Sequence, residues 1–177
     1  DNENRKPLML RGPRQVGKTW LVREFAKKFD NYIEINFEKE KNITSIFTYD
    51  LNIKRIVQEI SIYTKKEIKP EKTLLFLDEI QACPEAIKSL RYFYEDLKGL
   101  HVVAAGSLID FTIEQIGVPV GRIEFRYLYP ISFIEYLLAK NEELLVKHIS
   151  NGDFKSFSPA IHKKGIIGIH PIFMFLY

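Results

Sequence analysis

The chain has 177 residues, 46% of them apolar and 28% charged, a mix that excludes a disordered chain and allows one ordinary domain, or one domain and part of another. A net charge of +3 is too small to argue nucleic-acid binding from charge alone. The single cysteine, Cys83, excludes an internal disulfide, and the four histidines (His101, His148, His162 and His170) show no metal-ligand spacing.

Apolar runs and helical patterns alternate along the chain, which implies an α/β fold with a mainly parallel sheet. Residues 8–10, in "PLML", read as a short buried strand running into the glycine-rich "GPRQVGKT" of residues 12–19. "TWLVREFAKKF" follows, with Leu21, Val22, Phe25 and Phe29 as the apolar stripe of an amphipathic helix. "NYIEINFE" is the next strand, in which Ile33, Ile35 and Phe37 alternate with polar residues. A polar-punctuated stretch leads to a helix around 53–63.

"KTLLFLDE" carries a continuous apolar run over 74–77, as a central strand covered on both faces requires. Pro84 can open the following helix at its first position, with Ile87, Leu90, Tyr94 and Leu97 on one face and Gly99 closing it. "LHVVAAGS" reads as a further buried strand, and "LIDFTIEQIG" as a short helix ended by Gly117. In "RIEFRYLYP", Ile123, Phe125, Tyr127 and Tyr129 share one face, and Arg122, Glu124 and Arg126 the other. "SFIE" pairs Ser132 with Glu135 as a capping box, and "EELLVKHI" reads as one more helix. Beyond about Asn151 the periodicity fades. No signal peptide is expected from the charged N-terminus, and "GIIGIHPIFMFLY" is too short to span a bilayer. With a lone cysteine, a cytoplasmic setting without membrane contact follows as the expectation.

"GPRQVGKT" fills the pattern G-x-x-x-x-G-K-[ST], and it lies between an apolar strand and an amphipathic helix. Backbone N–H groups that curl around a β-phosphate need glycines where side chains would block the approach. Lys18 can neutralise β- and γ-oxygens, the Thr19 hydroxyl can ligate Mg²⁺, and the next helix turns its positive dipole end to the anion. The expected ATP contacts are Gly12, Pro13, Arg14, Gln15, Val16, Gly17, Lys18, Thr19 and Trp20, with no catalytic part for Arg14. At the end of "LLFLDE", Asp78 is suited to hold Mg²⁺ with Thr19, and Glu79 to polarise an attacking water. Cys83, just ahead of a helix, reads as a structural residue rather than a nucleophile.

With "GPRQVGKT", "LLFLDEIQ", "AAGSL" and "VGRIEFRYLYPISFIEYL" in view, the chain resembles the AAA-type ATPases of bacteria and archaea over about residues 6–141. More narrowly, it resembles a prokaryotic AAA-like family whose P-loop core is usually followed by a C-terminal domain of unknown function. The resemblance implies that Asn36 holds the catalytic glutamate inactive, unless it is only a turn asparagine. It implies that Ser107 is a polar sensor between the P-loop strand and the acidic strand, or else caps the next helix. Arg122 matches the location of an arginine finger offered to a neighbouring subunit's nucleotide, which implies a homo-oligomer. Its alternative is a strand-face arginine paired with Glu124 or with solvent. Arg126 is a weaker candidate for the same part.

The expected organisation is a P-loop NTPase core over 6–130 with a parallel sheet of about five strands, the start of a helical lid over 131–150, and a poorly patterned tail over 151–177 of the kind a truncation leaves. The helical segment ahead of the first strand and the sensor arginine of a lid are features of the family that this sequence does not display. The expected activity is Mg²⁺-dependent hydrolysis of ATP to ADP and phosphate, with Glu79, Ser107 and Arg122 as catalytic groups. The competing expectations are an ATP-gated switch with little turnover and, third, a small-molecule kinase. Whether the partner is protein or nucleic acid is open at this point.

Overall fold

Five strands build one parallel sheet in the order β2-β3-β4-β1-β5: β1 (Leu8–Arg11), β2 (Asn31–Asn36), β3 (Thr73–Asp78), β4 (His101–Ala105) and β5 (Glu124–Tyr127). The computed structural model describes residues 5–107 and 121–151. With the helices that flank the sheet, this is the α/β P-loop fold expected from the element pattern together with the glycine motif.

Strand β3 explains why the sheet has helices on both sides. All six of its residues are buried, and successive side chains feed opposite faces. Leu74 and Phe76 pack with Leu10, Val103 and Ala105, and with Val22 and Ala26 of α1 (Lys18–Ala26). Leu75 and Leu77 pack on the other face with Ile33 and Ile35, under α2 (Thr44–Tyr49), α3 (Ile53–Thr64) and α4 (Pro84–Asp96). Each fully buried side chain of this size contributes about 1.5–3 kcal/mol, so the double-sided strand anchors both layers. The middle of the sheet is β4, which lies between β1 and β3.

Three sequence expectations need correction. In α1 the buried positions are Lys18, Val22 and Ala26, whereas Leu21 and Phe25 are 41% and 44% exposed. The loop delivers the helix with Lys18 turned inward, and a spacing of four then carries the inner face through Val22 and Ala26. In α4, Pro84 does take the first turn, but Phe93 rather than Tyr94 completes the inner face with Ala86, Ile87 and Leu90. In β5, Ile123 and Phe125 are drawn to the core, while Tyr127 and Tyr129 are exposed, because the strand lies at the sheet edge and ends at Tyr127. The polar-punctuated stretch also hides a helix, α2, which follows a 3-10 turn at Lys41–Ile43 and buries Ile46 and Phe47.

The chain divides into two compact units at Pro130 and Ile131. In the second, Ser132 caps α5 (Phe133–Ala139): its hydroxyl accepts from the Glu135 N–H at 3.2 Å, and the Glu135 carboxylate accepts from the Ser132 N–H at 2.8 Å. Asn141, at φ 59°, turns the chain into α6 (Glu143–Ser150). The helix expected over 108–117 and the tail beyond 151, with His162 and His170, lie outside the described residues. Among the described residues, no helix is long and apolar enough to cross a membrane.

Candidate functional site

Because every strand runs the same way, the carboxyl ends of the strands share one edge. The register brings Leu10 and Asp78 level with Ala105, Asn36 level with Asp78, and Arg11 level with Tyr127. The glycine loop, the acidic pair and Ser107 all lie at or just beyond these ends, so residues far apart in sequence meet there.

Backbone geometry shapes the loop. Gly12 has φ 144° and Gly17 φ 97°, and Gln15 also turns through the left-handed region at φ 64°. A Cβ on Gly12 would collide with the carbonyl oxygen of Leu128, so the residue that follows β5 packs directly against the start of the loop. Lys18 is 7% exposed, and its Nζ donates to the carbonyl oxygens of Gly12 at 2.8 Å and Pro13 at 2.6 Å. Burial lowers the Lys18 pKa, an effect that the Glu79 and Asp78 carboxylates partly offset. The result is a desolvated cation spanning the loop, with two carbonyl dipoles as its direct partners among the described residues. Arg14 reaches outward, its Nη2 3.4 Å from Glu38 and its Nε donating to the Ser107 Oγ at 3.4 Å. Trp20 is 66% exposed, on the side of α1 away from Lys18.

Asp78 is 4% exposed and accepts at one oxygen, Oδ2, from the Thr19 hydroxyl at 3.2 Å and from the Asn36 amide at 3.1 Å. Burial raises its pKa, the neighbouring Glu79 carboxylate adds to the rise, and these two hydrogen bonds oppose it. A desolvated carboxylate beside a hydroxyl is a hard-oxygen pair of the kind Mg²⁺ accepts together with phosphate oxygens. Among the described residues, no group of three or more His, Cys, Asp or Glu side chains converges to hold a metal by itself.

Asn36 is joined to Asp78 rather than to Glu79. Its Oδ1 accepts from the N–H groups of Glu38 at 3.2 Å and Lys39 at 3.1 Å, which is turn-asparagine geometry. Glu79 has φ 50°, a left-handed conformation unusual for a residue with a Cβ and a store of about 1 kcal/mol or more of strain. Its carboxylate accepts from the Gln81 amide at 2.7 Å. That partner went unassigned in the sequence. Only the 3-10 turn Ile80–Ala82, closed by the Ala82 N–H on the Glu79 carbonyl at 3.0 Å, folds Gln81 back onto Glu79. The other end of the amide, Gln81 Oε1, is buried without a hydrogen-bond partner.

Arg122 stands apart from this cluster. It precedes β5, whose first residue, Glu124, pairs with Leu8 at the amino edge of the sheet. Its Nε donates to the Glu95 carboxylate of α4, which Arg91 also engages at 3.0 Å. Glu124 pairs instead with Arg126, so neither a bond to Glu124 nor plain solvation describes Arg122.

The family described as "AAA domain" matches residues 4–137. No curated protein matches the sequence. Among solved structures, the chain is similar to the Walker-type ATPase PABY2304 of Pyrococcus abyssi, at 19% identity and a TM-score of 0.45, over 81% of this chain and 55% of that one. It is also similar to the Drosophila ORC bound to DNA, at 14% identity and a TM-score of 0.47 over 83% and 45% of the two chains. The Aeropyrum pernix ORC1 protein in complex with DNA gives 15% identity and a TM-score of 0.48 over 78% and 44%. The chain therefore spans about half the length of the solved structures it matches.

Proposed function

The chain belongs to the AAA domain family, with a nucleotide-binding, ATPase-type core, and from that premise we propose that it binds ATP with Mg²⁺ and hydrolyses it to ADP and phosphate. The observation that carries the reading is the junction of the glycine loop with the acidic strand: Thr19 Oγ1 lies 3.2 Å from Asp78 Oδ2, with the buried Lys18 beside them. Residues 6–130 would form the ATPase core and 131–150 the start of a lid.

In this reading the loop from Gly12 to Thr19 grips the triphosphate, and Lys18 Nζ exchanges the Gly12 and Pro13 carbonyls for phosphate oxygens. Thr19 and Asp78 would hold Mg²⁺, which when bound withdraws charge from the phosphate oxygens. Glu79 accepts a proton from the attacking water, the Gln81 amide occupying one carboxylate oxygen, Oε2, and leaving the other to act as the base. Ser107, two residues beyond β4 and between the ends of β1 and β3, orients the γ-phosphate or the water. Arg122 would serve a neighbouring copy of the chain.

Glu79→Gln keeps the side-chain shape and removes the base. Turnover of ATP should fall about a hundredfold or more while calorimetric ATP affinity stays within a few-fold. Equal loss of both would make Glu79 a metal or folding residue. One observation favours a second reading, an ATP-gated switch: Glu79 is already engaged by Gln81 and held in a strained conformation. Tight ATP binding with no turnover, alone and with a candidate partner, would select that reading.

A further inference from the structure

Tyr127 and Tyr129 leave the end of β5 that abuts the glycine loop, and nothing in the hydrolysis scheme uses them. Their ring centroids are 4.4 Å apart with the planes at 43°, and the residues are 45% and 72% exposed. Leu128, between them, turns the opposite way and packs on the α1-side core. Its backbone is fixed to the loop twice: its N–H donates to the Arg11 carbonyl at 2.8 Å, and its carbonyl fills the space where a Gly12 Cβ would stand. Two large aromatic side chains thus flank the residue whose backbone abuts the first residue of the phosphate loop. Neither ring belongs to a core cluster of the described residues.

The geometry points to this ring pair as a stacking platform for the base of the nucleotide whose phosphates sit on Gly12 to Thr19. The inference rests on the reading of that loop as a triphosphate site. A nucleobase is tethered to its triphosphate through one ribose, so it must land beside the loop, and Tyr127 and Tyr129 are exposed rings fixed there by backbone. Trp20 is the other exposed ring nearby, but it stands two positions after Lys18, about 200° around α1 and away from the side that Lys18 faces. Aromatic stacking uses the face of a base, which every base has. The platform therefore adds affinity for nucleoside triphosphates in general and does not choose between adenine and guanine.

Calorimetry on the full chain with Mg²⁺ and ATP, GTP or inorganic tripolyphosphate tests this. The wild type should bind both nucleotides about tenfold or more tightly than tripolyphosphate, a margin of the size stacking supplies. In the Tyr127→Ala, Tyr129→Ala double variant that margin should largely close for ATP and GTP alike, with tripolyphosphate affinity within twofold of wild type. The Tyr127→Phe, Tyr129→Phe pair should keep the margin, because the faces remain. Survival of the ATP margin in the alanine pair overturns the platform, as does its loss in Trp20→Ala alone. Weakened tripolyphosphate binding in the alanine pair overturns it too, since the rings would then only be bracing the loop. Wild type that binds tripolyphosphate and ATP equally well removes the platform and leaves the loop reading intact. Wild type that binds neither removes both.

Discussion

Lys18 shows how much one side chain settles. It is buried, its charge is disfavoured by that burial, and its direct hydrogen-bond partners are two carbonyls of its own loop. Such a group destabilises the folded chain slightly in exchange for a strong grip on an anion. Lys18→Ala should therefore weaken ATP binding about a hundredfold or more, the size of two charge-assisted hydrogen bonds, while the melting temperature without nucleotide stays within a few degrees. Unchanged calorimetric affinity would end the P-loop assignment, and a large fall in melting temperature would make Lys18 structural. This residue was legible in the sequence because the loop is contiguous: its spacing and its chemistry occupy the same short stretch. Gln81 was not. Its contact with Glu79 depends on a 3-10 turn and on a left-handed glutamate, neither of which has a periodic signature. Asn36 falls between the two cases, since strand pairing brings it level with Asp78 whereas the family resemblance points it at Glu79.

Among the elements, the inner strands are more legible in the sequence than the edge strand β5 or the helix faces. A strand buried on both sides needs an unbroken apolar run, which "LLFL" supplies, and alternation in β2 fixes Ile33 and Ile35 inward. Helix faces depend on how a helix is delivered to the sheet, and a shift of one residue exchanges Phe93 for Tyr94. The edge strand β2 carries a polar device that the alternation pattern leaves unspecified. Glu34 accepts from Arg23 of α1 at 2.9 and 2.7 Å and from the Tyr32 hydroxyl at 2.6 Å, tying the helix to the sheet edge. The Arg23 bonds first, then the Tyr32 bond, hold the Glu34 pKa below the ordinary carboxylate value against the opposing effect of burial. A depressed carboxylate pKa gives stability that is fully present above the unfolded value and is lost as pH falls through the folded one. Glu34→Gln should therefore lower stability at pH 7 by about 1 kcal/mol, since Arg23 is largely exposed and the pair is screened. In urea unfolding as a function of pH, the gap between variant and wild type should shrink as pH falls below about 4. A gap that is constant from pH 7 to pH 3 would assign the effect to packing rather than charge.

At the scale of the whole molecule, the decisive residue is the one the fold keeps away from the loop. Parallel pairing of β5 with β1 puts Glu124 level with Leu8 and Tyr127 level with Arg11, so Arg122 lies toward the amino edge and the loop at the carboxyl edge. At about 3.3 Å per strand residue, the separation along the sheet is roughly 15 Å, too far for a guanidinium to touch its own chain's γ-phosphate. Arg122 either serves a second copy or holds α4 through Glu95, whose pKa the Arg122 bond, and after it the Arg91 bond, lowers. If it serves a second copy, ATP turnover per subunit should rise with protein concentration, because a lone subunit lacks that charge at its nucleotide. Arg122→Ala should abolish the rise and leave ATP affinity within a few-fold, since the contact acts in the transition state. Mixing Arg122→Ala with Glu79→Gln should recover part of the activity, because one interface then joins an intact Glu79 to an intact Arg122. Turnover that is independent of concentration, with no recovery in the mixture, would leave Arg122 as the structural partner of Glu95.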